Sequence, residues 1–120
     1  MTSGQRVNTY LCMTKDVGLG GNLFGGVMMG WIDESAAIFA YKYTGATRLV
    51  TLKFAEMVFR LPVRVGDFVD VYAANIRTGR TSITLDVECR VGDKVVVETT
   101  ATFVSLDEAG RPTPIVPKPD

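Results

Sequence analysis

Residues 24–44 read FGGVMMGWIDESAAIFAYKYT, and the rest of the chain is arranged around them. The stretch predicts one long helix from Phe24 to about Thr44, entered through the glycine pair Gly25 and Gly26. Asp33 and Glu34 carry the only charges between Val27 and Tyr41. At helical spacing Asp33 shares its face with Met29, Gly30, Ala36 and Ala37, so its carboxylate is expected over a buried stripe. Burying an unpartnered carboxylate costs several kcal/mol or forces it to keep its proton. The ordinary reading of a mid-helix acid is a water-facing stripe. Two charges are too few for that here, and a helix apolar on every side is wrapped by other elements. Glu34, about 100° further round, is the expected exposed edge while Asp33 faces inward. The residues alone leave the two acids nearly interchangeable.

Upstream, Arg6–Met13 is expected as a first strand with Val7, Thr9, Leu11 and Met13 on one face. Between it and the helix, five of the nine residues from Gly18 to Gly26 are glycine, so the backbone there can take positive φ and approach a ligand closely. Neither a dinucleotide fingerprint nor a P-loop spacing is met, and a plain flexible loop is the alternative. Gly45 is the expected helix stop. From Thr47 the period changes to that of strands, the first ending near Phe59 ahead of Pro62. DFVDVYAANIRT follows at 67–78. Ser82–Val91 alternates cleanly, with Ile83, Leu85, Val87, Cys89 and Val91 expected inside and Ser82, Thr84, Asp86, Glu88 and Arg90 wet. Gly92-Asp93 turns into 94–106, with Val95, Val97, Thr99, Ala101 and Phe103 expected inside. Residues 107–120 hold four of the five prolines and are expected to be an irregular tail extended on the surface. Strand, long helix, four strands: this order predicts an α+β fold, one antiparallel sheet packed on one helix, as a single domain over 1–120. One flat sheet face does not cover such a helix, so the sheet curls round it or a second subunit completes the burial.

Composition narrows the chemistry. A chain of 120 residues with 47% hydrophobic content can bury a core of its own. Thirteen basic residues balance thirteen acidic ones without a basic block, so neither nucleic acid nor an anionic membrane is implied as a partner. No signal-peptide pattern stands at the N-terminus, and Asp33, Glu34 and Ser35 argue against a membrane span. Cys12 and Cys89 are expected as reduced core thiols of a cytoplasmic protein. There is no histidine, which removes the Ser-His and Cys-His constellations and the commoner zinc sites. Neither a metal nor a cofactor is called for, and the chemistry must rest on carboxylates, hydroxyls, amides and backbone.

The glycine-rich loop into Phe24-Gly25-Gly26, the acid at Asp33, the long helix, Phe59-x-x-Pro62-Val63, Gly66-Asp67, Gly79-Arg80-Thr81-Ser82 and the closing run through Phe103-Val104 together resemble the hotdog-fold acyl-CoA thioesterases, with the match nearest the YciA and brain acyl-CoA hydrolase branch. The resemblance covers roughly Leu11 to Pro114. It implies a sheet wrapped around the helix, homo-oligomers built from dimers and often trimers of dimers, and acyl-CoA bound where subunits meet. It places Asp33 on the family's catalytic carboxylate and Gly25 on the glycine whose N–H polarises the thioester carbonyl. Thr81 and Ser82 fall on a strand segment near the site, presented to the partner subunit's helix, with Arg80 beside them. One departure stands out: where the family carries an asparagine two residues after the loop aspartate, Asp16 is followed by Val17 and Gly18, and Asn22 comes four residues later.

The physical chemistry points the same way. A helix N-terminus offers free N–H donors and a positive dipole end to the oxyanion formed when a thioester is attacked. Asp33 lies about 12 Å further along the axis. It is expected either to activate water or to attack directly and form an anhydride. Phe24, Met28, Met29 and Trp31 are candidates for an acyl tunnel, with plain core as their other reading. Gly26 and Thr51 are placed with Asn22, Phe24, Arg80, Thr81 and Ser82 as substrate-binding candidates. Arg60, Arg64, Arg77 and Arg80 are candidates for CoA phosphates. The reaction expected is hydrolysis of acyl-CoA to free acid and CoA; the rival is a domain that binds or senses acyl-CoA without cutting it. A hydratase is disfavoured by the missing histidine.

Overall fold

The structure, a computed structural model, describes residues 4–115. In chain order it contains β1 (Gln5–Leu11), a short 3-10 turn (Thr14–Asp16), α1 (Gly25–Tyr43), β2 (Leu49–Phe59), β3 (Phe68–Thr78), β4 (Ser82–Val91) and β5 (Lys94–Ser105). The strands form one antiparallel sheet in the order β1-β3-β4-β5-β2, so the first two strands of the chain are the two edges. The helix touches all five strands, which requires the sheet to curl around it: this is the hotdog arrangement.

α1 buries Met28, Ile32, Ser35, Ala36 and Ala40 at spacings of one helical face. They meet Val69, Val71, Ile83, Leu85, Val87, Ala101 and Phe103 from the inner side of the central strands. The helix ends without a left-handed glycine. Thr44 is extended at φ −104°, ψ 169°, and its hydroxyl and N–H both reach the Ala40 carbonyl, so Thr44 and not Gly45 makes the stop.

Bulges in three strands correct the expected strand faces. β1 skips a residue at Val7, so Asn8, Tyr10 and Cys12 turn inward while Thr9, Leu11 and Met13 lie exposed, the reverse of the alternation read from Val7. One inserted residue flips every later side chain. In β5 the shift between Cys89 and Arg90 puts Val96 into the core and pairs Val95 with Arg90 on the outer side. β2 is interrupted at Leu52 and again at Glu56-Met57, where Glu56 takes φ 37°.

The outer face of β4 is not uniformly wet either. Glu88 is 4% exposed and stands opposite Glu98. Arg90 hydrogen-bonds Glu88, and Arg60 does the same for Glu98. Both cysteines are buried and free. No helix among the described residues is long and apolar enough to cross a membrane. Beyond β5 the tail does not simply extend over the surface: Asp107 and Arg111 close a turn, Leu106 bridges Pro112, and the Ile115 N–H reaches the Arg80 carbonyl at 2.9 Å. The rest of the expected tail, 116–120, lies outside the described residues.

Candidate active site

The segment ahead of α1 delivers its first turn to one place. Asp16, 4% exposed, receives the Met13 N–H at 2.9 Å and the Lys15 ammonium at 2.7 Å, and its backbone carbonyl receives the Phe24 N–H at 2.9 Å. The Lys15 contact, then the Met13 amide, hold the Asp16 carboxyl below the usual carboxylate range. The glycine-rich stretch is a closed turn and not a loose loop. Val17 bridges Leu23, the Gly18 N–H meets the Asn22 carbonyl at 2.9 Å, and Gly21 supplies φ +83° at the bend.

At the helix start, the Val27 and Met28 N–H groups turn back to the Phe24 carbonyl at 3.0 and 3.2 Å. No side chain caps the N-terminus, and among the described residues no acceptor meets the Gly25 or Gly26 N–H. Two donors with a positive dipole end behind them are therefore open to an incoming anion. Phe24, 60% exposed, lies over this turn: a methyl added at Gly26 would sit 3.0 Å from its ring, and one at Gly18 3.3 Å.

Two turns along, Asp33 is half-buried and accepts a hydrogen bond from the Thr51 hydroxyl of β2 at 2.7 Å. Its own face of α1 is open in the single chain, with Gly26 and Gly30 exposed and Met29 45% exposed. The expectation of an Asp33 sunk in apolar surroundings is thus corrected. The sheet covers the Met28–Ile32–Ser35–Ala36–Ala40 face, and Asp33 lies at its margin, tied to an edge strand. Glu34 is exposed, as expected, and is partnered on the opposite side by the Tyr10 hydroxyl of β1.

The acyl-tunnel candidates divide. Met28 is core at 2% exposure, and Trp31 is half-buried, stacked on Tyr10. Phe24 and Met29 face the open side with the free amides. Asn22 lies at a cleft of about 250 Å³ lined by Met28, Phe59, Leu61, Val63 and Val97. Of the arginines, Arg60 pairs with Glu98, and Arg77 holds Asp86 and the Asn75 carbonyl. Among the described residues Arg64 and Arg80 keep side chains without a partner. Arg80 and Thr81 sit in the β3–β4 connection and Ser82 opens β4, pinned by the Gly79 N–H on the Ser82 carbonyl and the Ser105 N–H on the Thr81 carbonyl. Ser82 pairs with Val104, which pairs with Val50 beside Thr51, so two strand spacings separate this segment from Thr51 within one chain. No hydrogen bond among the described residues joins it to Asp33. Asp16 and Tyr10 were not singled out as site residues from the sequence. The available signal was Ser35, a hydroxyl on an otherwise apolar helix face, which required a polar partner.

The profile of the family described as "Thioesterase superfamily" matches residues 20–98, the span from the glycine turn to the middle of β5. The chain belongs to the thioesterase superfamily. Within that superfamily it is 37% identical over 122 residues to the acyl-CoA thioester hydrolase YciA of Salmonella typhimurium, covering 93% of this chain and 90% of that one. Its fold matches the hexameric thioesterase y2039 of Yersinia pestis with a TM-score of 0.87 at 35% identity, over 96% of this chain and 98% of the other. The acyl-CoA hydrolase of Staphylococcus aureus, solved in complex with butyryl coenzyme A, coenzyme A and coenzyme A disulfide, matches with a TM-score of 0.80 at 30% identity, over 94% and 71%.

Proposed function

We propose that this thioesterase hydrolyses acyl-CoA with water to a free carboxylic acid and CoA thiol, with Asp33 as the acting carboxylate. The observation that carries the reading is Asp33 itself: a half-buried carboxylate oriented by Thr51, on a helix face left open in the single chain, downstream of two unclaimed backbone N–H groups. The Gly25 N–H would take the developing oxyanion, a donor of the kind worth about 10²–10³ in rate. Asp33 would either remove a proton from the attacking water or add to the carbonyl and leave as an anhydride that water then opens.

Gly25 and Asp33 are about 12 Å apart along the axis, more than one thioester spans. A second copy of the chain resolves this, by setting its own Arg80–Ser82 segment and helix against the open face. The exposed Phe24, Met29, Leu52 and Phe59 support such an assembly, as do the hexameric relatives. A dimer or a trimer of dimers is the proposed state. Arg80 and Arg64, free of carboxylate partners among the described residues, are the cations proposed for CoA phosphates. Two buried free thiols agree with a reducing, cytoplasmic setting.

Gly18 keeps the second reading, an acyl-CoA binding or sensing domain, in play. Thiol release across acyl-CoA chain lengths, measured for wild type and Asp33→Asn, separates the two. The expected result is wild-type turnover and a loss of about 10²–10⁴ in the variant with circular dichroism unchanged. Equal rates in both would remove Asp33 from the mechanism. Tight acyl-CoA binding with no thiol release at any chain length would establish the sensor.

A further inference from the structure

Asp33 and Glu34 are adjacent on α1 and point about 100° apart. Each is tied to a different edge of the sheet: Asp33 to Thr51 on β2, and Glu34 to Tyr10 on β1. We propose that the β1 tie, the Tyr10–Glu34 hydrogen bond, is a positioning device that sets the roll of α1 and thereby aims Asp33. The proposal rests on the reading of Asp33 as the acting carboxylate.

The need for such a device follows from what the helix buries. Besides Met28, the buried α1 residues are Ile32, Ser35, Ala36 and Ala40, three of them small, and the larger Trp31 and Phe39 are only partly buried. Small side chains raise low ridges, and low ridges key a helix weakly against rotation about its own axis. A roll of about 20° carries a group 5–6 Å from the axis through roughly 2 Å. Misplacement of about 1 Å at a reacting group can cost on the order of 10²-fold.

The Tyr10 contact is built to resist that roll. Its ring stacks on Trp31 with centroids 4.8 Å apart and planes 5° from parallel. Its hydroxyl donates to the Glu34 carboxylate at 2.5 Å and lies 3.3 Å from the Ser35 hydroxyl. Trp31, Glu34 and Ser35 are at i, i+3 and i+4, so one side chain grips three residues of one helix face. Asn8 donates to the Tyr10 oxygen at 3.2 Å and to the Ser35 oxygen at 3.3 Å, bracing the grip from β1. Burial, then the Glu34 carboxylate, push the Tyr10 phenol above the ordinary tyrosine range, so it remains a donor throughout the neutral region. Glu34 itself is exposed, and an exposed hydrogen bond adds little stability. A merely structural contact here would leave turnover untouched; a positioning contact would not.

The test compares Tyr10→Phe, Glu34→Ala, Glu34→Gln and their Tyr10→Phe/Glu34→Ala double variant with Asp33→Asn, reading kcat, KM and urea midpoint. Tyr10→Phe and Glu34→Ala should each lower kcat about three- to five-fold, the bias an exposed hydrogen bond can exert on the roll, with KM and midpoint nearly unchanged. The double variant should match either single, and Glu34→Gln, whose amide oxygen still accepts from Tyr10, should recover most of the rate. Full kcat in Glu34→Ala while Asp33→Asn is inactive overturns the device and leaves the catalytic reading standing. A rate that Glu34→Gln fails to recover also overturns it, because the effect would then be one of charge. Full activity in Asp33→Asn removes both. Glu34 is a surface residue, so its variants carry the test even if Tyr10→Phe lowers the midpoint.

Discussion

The guanidinium of Arg90 lies over the ring of Tyr72, 4.4 Å from its centroid, while the same group hydrogen-bonds Glu88. Tyr72, Glu88 and Glu98 form one cross-strand row, so two acids stand directly opposite each other on the outer face. Like charges in that position are destabilising, and the Arg90 pair helps to make a 4% exposed Glu88 tolerable.

Removing the cation should therefore cost more than removing the pair. Arg90→Met is expected to lower unfolding free energy by about 3 kcal/mol at pH 7, and Glu88→Leu/Arg90→Met by clearly less. Urea denaturation checks this. A double variant as unstable as the single one would mean that Arg90 acts through packing on Tyr72 alone.

Thr51 sits on an edge strand and donates a single hydrogen bond, to Asp33. Thr51→Val keeps the shape and deletes the donor. The expected outcome is a kcat reduced roughly ten-fold with little change in stability, and recovery in Thr51→Ser. Steady-state kinetics on the three proteins decide it, and an unimpaired Thr51→Val would leave Asp33 oriented by something other than β2.

Gly18 has an ordinary negative φ, and a side chain there would first meet the Phe24 ring at 3.3 Å. Phe24 is 60% exposed and has room to swing aside. Gly18→Asn is thus expected to fold with unchanged thermal midpoint, and to raise turnover if the amide reaches the thioester or its attacking water. Gly21→Ala is the contrast: its φ of +83° strains any side chain, and a loss of about 1 kcal/mol is expected by thermal unfolding.

Stability should fall on both sides of neutrality. Burial, then the Glu88 charge, push the Cys89 thiol up to about 12. An unfolded thiol ionises near pH 8.5, so this contribution is intact below that value and is lost as pH climbs toward 12. On the acid side, burial alone would raise Asp86, but hydrogen bonds from Asn75, Thr100 and Arg77 outweigh it and hold the group low. Asp16 is held low as well, so both contribute above the unfolded carboxylate range near pH 4 and are lost as pH drops through their folded values. Urea midpoints across pH should show a plateau with two descending limbs. At pH 8 Cys89 should resist a thiol reagent in the native protein and react once it is unfolded.

Much of the fold could be read locally. The α1 boundaries, the β4 span from Ser82 to Val91 and the Gly92-Asp93 turn follow from periodicities and turn residues only a few positions long, and the structure places them there. The β1 face was not legible. A single bulge at Val7 inverts the alternation after it, and bulges are decided by how a strand must bend to pair with β3, information held some sixty residues away. Glu88 escaped for a similar reason: its burial depends on Arg90, Tyr72 and Glu98 converging from three strands.

By itself the amino-acid sequence determined that one helix carries two acids, that a glycine turn leads into it, that antiparallel strands follow, and that no histidine takes part. Only the tertiary structure decided what each acid touches. Asp33 and Glu34 are equivalent to any local rule, and they differ because the fold lays each beside a strand at an opposite edge of a curled sheet. One edge offers a threonine hydroxyl and the other a tyrosine hydroxyl. Rotation of a helix about its axis has no local determinant, since every residue on it turns together; it is settled by whichever distant partners the fold brings alongside.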